Sequence, residues 1–136
     1  MSKVFIDTNI LVYAIDKSDL HKQRISRKIL LELEKNNLGV ISTQVLQELY
    51  VTLTKKLHVD PIFSKQIIDQ FTNFEVIQVD APLILQAIDC SILNQISFWD
   101  ALIVVAAQTG GCERLLSEDF NHQQTFKNIR VDNIFK

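Results

Sequence analysis

Four acidic residues stand where the catalytic site of an α/β protein commonly lies. Asp7 and Asp119 each follow a short apolar run that is typical of a buried strand. Glu48 lies one to two turns into one expected helix, and Asp100 opens another. Because open α/β sheets bind ligands outside the carboxyl ends of their strands, we expect these carboxylates to meet at one sheet edge.

A cluster of this kind indicates metal-dependent chemistry. Crowded carboxylates repel one another and raise each other's pKa, and a divalent cation reverses that cost. Hard cations such as Mg²⁺ and Mn²⁺ prefer oxygen ligands and are commonly bound near phosphates. Such a site can activate a water and stabilise the oxygens of an in-line phosphoryl displacement.

Each acid also has a purely structural interpretation, which the spacing alone leaves open. Asp7 could cap the short helix that follows it, and Asp100 could belong to a capping box that begins at Ser97. Asp119 could be a turn residue, and Glu48 could face solvent on its helix. Taken together, these interpretations do not explain why acids stand beside several apolar runs that should bury them.

The elements that would position these residues alternate along the chain. Short apolar runs predict strands at residues 4–6, 40–41, 76–79 and 114–117, with a fifth at the edge at 129–131. Helical periodicity and caps predict helices over 9–15, 21–36 and 42–57, from 61 and 81 onward, and over 101–108. Gly39 is expected to cap the second helix. The alternation predicts one α/β domain over residues 1–136 with a parallel sheet.

Composition excludes several other classes of protein. The chain has 136 residues, 47% hydrophobic and 22% charged, with 3 Gly, 2 Pro and 2 Cys. Two cysteines cannot form a disulfide framework, which favours a reducing compartment. The longest apolar stretch, residues 101–107, is far shorter than the roughly 20 residues that span a bilayer. We therefore expect a cytoplasmic protein with no membrane contact.

A basic run stands out against the net charge of −2. Over residues 17–28, Asp19 is the only acid. The run is either the solvated face of a helix or a surface for a polyanion. Its members are Lys17, Lys22, Arg24, Arg27 and Lys28.

Several strings of the sequence resemble the PIN-domain family, and in particular its small VapC-type toxins. Residues 4–14 (VFIDTNILVYA) are similar to the family's opening motif, and residues 97–107 (SFWDALIVVAA) to its second motif. Residues 115–120 (LLSEDF) resemble the third, and residues 42–48 (STQVLQE) the weaker motif that carries a glutamate. Order and spacing agree over essentially the whole chain.

This resemblance implies a PIN-like three-layer α/β/α sandwich whose short, mainly parallel sheet has four to five strands. It also implies Mg²⁺- or Mn²⁺-dependent hydrolysis of RNA phosphodiesters. The acidic set carried over by position is Asp7, Glu48, Asp100 and Asp119, of which Asp7, Asp100 and Asp119 would bind the metal. Asn9 and Ser117 would support the site by hydrogen bonds. Because an acidic pocket repels RNA, the charge of the basic run separately predicts that it contacts the RNA backbone.

The resemblance further implies a toxin of a toxin–antitoxin pair, a homodimer, and a small antitoxin partner whose tail reaches the acidic site. A set of apolar side chains is either a groove for that partner or plain core: Leu46, Leu49, Tyr50, Leu53, Ile67 and Phe71. Two other functions stay open from sequence, a DNA-directed nuclease with the same chemistry and a non-catalytic interaction module. The four intact acids argue against the module, which has little reason to keep a repulsive cluster.

Overall fold

Short apolar runs and helical segments alternate along the chain and form one mixed sheet with helices on both sides. The computed structural model describes residues 2–136. The strands are β1 (Lys3–Ile6), β2 (Gly39–Ser42), β3 (Glu75–Ile77), β4 (Cys112–Leu116), β5 (Thr125–Phe126) and β6 (Ile129–Asp132). The helices are α1 (Thr8–Ile15), α2 (Leu20–Lys35), α3 (Thr43–Val51), α4 (Pro61–Phe71), α5 (Ala81–Asn94) and α6 (Phe98–Thr109).

The sheet has the strand order β3-β2-β1-β4-β6-β5. All neighbouring strands are parallel except β5 and β6, which form an antiparallel hairpin. The sheet therefore has six strands where four to five were expected, and β6 is internal where an edge was expected. The missed strand, β5, has only two residues and is fixed by its pairing with β6 and not by an apolar run of its own.

The helices form two layers, which confirms the expected α/β/α sandwich. Helices α1 to α4 pack against one another on one face of the sheet, as the right-handed crossovers from β1 to β2 and from β2 to β3 require. Helices α5 and α6 pack together on the other face, and α6 lies against the central strands. The apolar stretch 101–107 is entirely buried there.

Most helices begin where a short polar side chain accepts a hydrogen bond from a backbone N–H of the first turn, as N-caps do. These caps are Asp7, Asp19, Ser42, Asp60, Asp80 and Ser97. Asp7 accepts from the N–H of Thr8, so the capping role considered from sequence is real. The cap uses only Oδ1 of this carboxylate, and Oδ2 accepts a hydrogen bond from Ser117.

Two expected boundaries differ in the structure. The helix expected over 42–57 ends as α3 at Val51 and continues as one π-helical segment, Thr52–Lys56. Gly39 does not cap α2, because Asn37 takes the left-handed conformation there, with φ of 56°. Gly39 instead begins β2 beside Phe74, where a Cβ would lie 2.4 Å from the aromatic ring.

Within residues 2–136, no single helix has both the length and the apolar character needed to cross a membrane. Helices α5 and α6 meet that criterion only when taken together, and they are bent by 115° at their junction.

Candidate active site

Parallel pairing of β1 with β4 brings two segments of the site together. Ile6 pairs with Leu116, and the N–H of Asp7 donates to the carbonyl of Leu116 at 3.0 Å. The residues that follow both strands therefore lie side by side at the carboxyl edge of the sheet. A cavity of about 620 Å³ opens there. It is lined by Asp7, Thr8, Asn9, Gln44, Gln47, Glu48, Val51, Thr52, Trp99 and Asp119.

Asp7 forms the buried floor of this cavity. It is 5% exposed, and Ser117 Oγ donates to its Oδ2 at 2.7 Å while the N–H of Thr8 donates to its Oδ1 at 2.7 Å. Burial raises the pKa of Asp7 to about 7, and the charges of Asp119 and Glu48 act in the same direction. The two hydrogen bonds favour the ionised form and oppose part of this rise in pKa.

Asp119 stands at the mouth of the cavity and is held by two neighbours. Asn9 Nδ2 donates to both of its carboxylate oxygens, at 3.0 and 3.1 Å. The N–H of Asp119 donates to Ser117 Oγ at 3.1 Å, so one hydroxyl links the backbone of Asp119 to the carboxylate of Asp7. Burial raises the pKa of Asp119, and the charge of Asp100 raises it further.

Glu48 reaches the cavity from α3. Thr8 Oγ1 donates to its Oε1 at 2.6 Å, and Gln44 Nε2 lies 3.4 Å from its Oε2. The same Gln44 amide donates to the backbone carbonyl of Trp99 at 3.2 Å. Gln44 is buried, and its Oε1 has no hydrogen-bond partner among the described residues. Glu48 is thus fixed by Thr8 of α1 and Gln44 of α3, and Gln44 also contacts α6.

Asp100 lies in the first turn of α6, where its N–H donates to Ser97 Oγ at 3.1 Å. Its carboxylate is half-buried and is not part of the cavity lining, although its charge affects Asp119. The structure therefore places three of the four acids on the cavity wall, and the fourth near enough for its charge to affect Asp119.

The donor set suits a hard divalent cation. All of the candidate ligands are carboxylate oxygens, and the raised pKa values of Asp7 and Asp119 show the desolvation and repulsion that a cation would relieve. Within residues 2–136, no three His, Cys, Asp or Glu side chains are grouped closely enough to hold an ion directly. Mg²⁺ keeps several waters and is often bound through one or two carboxylates.

Two side chains of the basic run, Lys22 and Arg27, make hydrogen bonds within the protein. Lys22 Nζ donates to Glu118 Oε2 at 3.0 Å and lies 4.5 Å from the centre of the Tyr13 ring. Arg27 Nε donates to the carbonyl of Ala14 at 2.7 Å. Because Glu118 adjoins Asp119, the Lys22 contact places the start of α2 beside the cavity. The exposed members of the run are Lys17, Arg24, Arg27 and Lys28.

The apolar set singled out from sequence is mostly core. Leu49, Leu53 and Ile67 are buried, whereas Tyr50 is exposed. Two members of the set, Leu46 and Tyr50, line an apolar groove between α3 and α4. It is lined by Leu46, Gln47, Tyr50, Val51, Pro61, Ile62, Lys65 and Ile68. Gln47 and Val51 line the groove and the acidic cavity alike, so the two are continuous.

Sequence reasoning missed Thr8, Gln44 and Trp99. Thr8 and Trp99 each adjoin a predicted acid, and Gln44 precedes Glu48 by four residues, which places the two on one face of a helix. That spacing was available from sequence. The contact of Thr8 with Glu48 was not, because it depends on how α1 packs against α3.

Comparison with known proteins gives a consistent result. Residues 4–128 match the PIN domain family. None of the curated proteins with which the sequence was compared matches it significantly.

Three solved structures illustrate the similarity. A Rickettsia felis VapBC2 complex, bound to a DNA fragment from its promoter, shares 26% identity and a TM-score of 0.69, over 96% of this chain and 97% of that one. VapC20 of Mycobacterium tuberculosis, a toxin that cleaves the sarcin–ricin loop, shares 18% identity and a TM-score of 0.67, over 83% and 87%. DNA-bound VapBC of Salmonella typhimurium shares 20% identity and a TM-score of 0.68, over 98% and 99%. The likenesses below 25% identity concern the fold.

Proposed function

Because the chain belongs to the PIN-domain family, we propose that it is a Mg²⁺- or Mn²⁺-dependent endoribonuclease and the toxin of a type II toxin–antitoxin pair. The observation that carries the proposal is the meeting of Asp7, Glu48 and Asp119 around one cavity, from segments far apart in the chain. Structural similarity to VapC and VapBC proteins supports it.

The roles of the acids follow from their surroundings. Asp7, Asp100 and Asp119 would hold the ion, directly or through its waters, and the ion when bound supplies Lewis-acid activation of a water and charge for the phosphoryl oxygens. Glu48 is exposed and held by Thr8, which suits an acceptor for the proton of an attacking water. Asn9 and Ser117 fix the directions of Asp119 and Asp7. Cleavage would leave a 3′-hydroxyl and a 5′-phosphate.

The test is cleavage of a mixed RNA pool by the purified protein with Mg²⁺ or Mn²⁺, against EDTA and Asp100→Asn. Asp69→Asn, an exposed acid on α4, is the matched control. We expect cleavage by the wild type and by the control, and none with EDTA or with Asp100→Asn. Equal cleavage in every sample would contradict the proposal, and cleavage of DNA oligonucleotides in preference to RNA would replace it with a DNA nuclease.

The antitoxin is proposed to occupy the apolar groove between α3 and α4. The groove continues into the acidic cavity through Gln47 and Val51, so a segment seated in it could extend a basic or apolar side chain to the acids. Ile62, 73% exposed on the groove wall, is the residue to change. Ile62→Glu should abolish co-purification with the product of an adjacent antitoxin reading frame, and unchanged co-purification would contradict this placement.

A homodimer is proposed through α5. This helix presents a row of exposed apolar side chains, and contiguous patches of this kind mark interfaces. They are Ile84, Leu85, Ile88, Ile92 and Leu93. Leu85→Glu should shift the mass in light scattering from dimer to monomer, and a monomeric wild type would contradict the proposal. A cytoplasmic location accompanies this proposal as a prediction.

A further inference from the structure

Trp99 is exposed inside the proposed catalytic cavity. It is the only tryptophan of the chain and is 64% exposed, although indole is among the side chains that gain most from burial. Among residues 2–136, Val51 is the only other exposed large hydrophobic residue on the cavity wall. Within the part of the chain that the structure describes, the indole has one aromatic contact, with Phe98, and most of the side chain remains in water.

The backbone that carries Trp99 is fixed. Its carbonyl accepts from Gln44 Nε2, the residue that also reaches Glu48, and its ring packs edge-to-face on Phe98 with centroids 5.3 Å apart and planes at 68°. The N–H of Asp100, the next residue, donates to Ser97 Oγ. The indole is thus presented to the cavity from an ordered turn, next to Asp100 in the chain and linked through Gln44 to Glu48.

The chemistry of the cavity selects what such an indole can contact. The wall is acidic, so phosphate groups are repelled unless cations neutralise them. A nucleobase is uncharged and has an aromatic face, and stacking on an exposed ring strengthens binding by about 5- to 150-fold per base. In a duplex the bases are already stacked inside the helix, so only an unpaired base can lie flat on this ring.

We propose that Trp99 is a base-stacking residue that makes the cavity selective for unpaired nucleotides next to the phosphate to be cleaved. This deepens the proposed ribonuclease function and rests on it for the role of the neighbouring acids. Trp99 would act on substrate binding, and the acids on the chemical step.

The fluorescence of the single tryptophan provides a direct test that needs no cleavage. Three oligomers are titrated into the wild-type protein, once in EDTA and once in Ca²⁺. They are a 12-nucleotide single-stranded RNA, the same RNA annealed to its complement, and an abasic oligomer of that length. We expect saturable quenching by the single strand, with affinity about 10-fold or more above that for the duplex and the abasic oligomer. Equal quenching by all three, or none by any, would overturn the proposal.

Variants provide the second arm. By anisotropy of labelled single-stranded RNA, Trp99→Ala should bind about 10-fold more weakly, Trp99→Phe should recover most of the affinity, and Phe63→Ala, an exposed aromatic off the cavity wall, should bind like the wild type. In cleavage assays the Trp99→Ala defect should appear in KM and not in kcat. A protein that cleaves RNA with unchanged KM in Trp99→Ala would overturn the stacking role and leave the nuclease intact; single-strand quenching without cleavage would support stacking and overturn the nuclease.

Discussion

The two walls of the cavity are built in different ways. The sheet wall, with Asp7 and Asp119, follows directly from β1 and β4 and is tied together by Ser117 Oγ and by backbone hydrogen bonds. The helix wall, with Glu48 and Trp99, is held through side chains, chiefly Thr8 and Gln44, and is exposed. The sheet wall is therefore the preorganised part, suited to holding charge, and the helix wall is the part that we propose to meet the substrate.

The largest effect should come from the floor of the sheet wall. Asp7→Asn keeps the shape of the side chain and removes its charge, so RNA cleavage should fall by at least about 100-fold, beyond the loss typical of an outer partner of a metal ligand. Initial cleavage rates with Mg²⁺ measure this. If Asp7→Asn retained more than about a tenth of the wild-type rate, Asp7 would not belong to the catalytic centre.

The same residue should make stability depend on pH in the metal-free protein. With its pKa raised to about 7, the folded state keeps a proton on Asp7 that the unfolded state has already lost above its ordinary pKa. The stabilising contribution is complete below about pH 4 and is lost as the pH rises through 7. In EDTA, the free energy of unfolding of Asp7→Asn should therefore rise relative to that of the wild type between pH 5 and pH 7.5. The rise should be roughly 1.4 kcal/mol for each pH unit over which Asp7 is protonated only in the folded state. Urea denaturation at pH 5 and at pH 7.5 measures the difference in stability between the variant and the wild type. The same difference at both pH values would contradict the prediction.

Ser117 tests the link within the sheet wall. Ser117→Ala removes the donor to Asp7 Oδ2 and the acceptor for the N–H of Asp119. Activity or metal affinity should fall by about 10- to 100-fold, as for other outer partners of metal ligands. Ser91→Ala, which changes a hydroxyl that bonds only within α5, is the matched control and should leave both unchanged.

Changes to the helix wall should reduce activity less, because they alter only the position of Glu48. Thr8→Val preserves the buried volume but removes the hydrogen bond to Glu48 Oε1, so kcat should fall by about 10-fold, the equivalent of a hydrogen bond to a charged group. Thr8→Ser restores the hydroxyl and should restore most of the rate. A Thr8→Val rate equal to that of the wild type would show that Glu48 needs no positioning.

The smallest effect should come from the basic run, which lies beside the sheet wall through the contact of Lys22 with Glu118. Arg24 and Lys28 are exposed, and each side chain that neutralises an RNA phosphate should contribute about 1 to the slope of log affinity against log salt. The double variant Arg24→Ala/Lys28→Ala should therefore show a shallower slope than the wild type. The doubly changed Lys55→Ala/Lys56→Ala protein is the control of equal charge. An unchanged slope in the first variant would remove the run from the RNA surface.

The two walls also differ in how far the sequence could predict them. Asp7 and Ser117 follow apolar strands. Parallel pairing brings the residues after neighbouring strands together independently of how the helices pack. The contact of Thr8 with Glu48 depends on the rotation and approach of α3, which no periodicity specifies. Dependence on a packing partner also explains why the sequence did not predict β5, whose two residues form a strand only because β6 pairs with them. It explains the wrong prediction for Gly39 as well, because the role of that residue depends on the position of Phe74.

Binding of Mn²⁺ to the purified protein, followed by calorimetry in the absence of RNA, tests the central claim most directly. The wild type and Asp69→Asn should bind the ion alike, and Asp7→Asn should lose at least about 10-fold in affinity. Equal affinity in all three proteins, or no binding to the wild type, would contradict the account of the cavity as a metal-dependent catalytic centre.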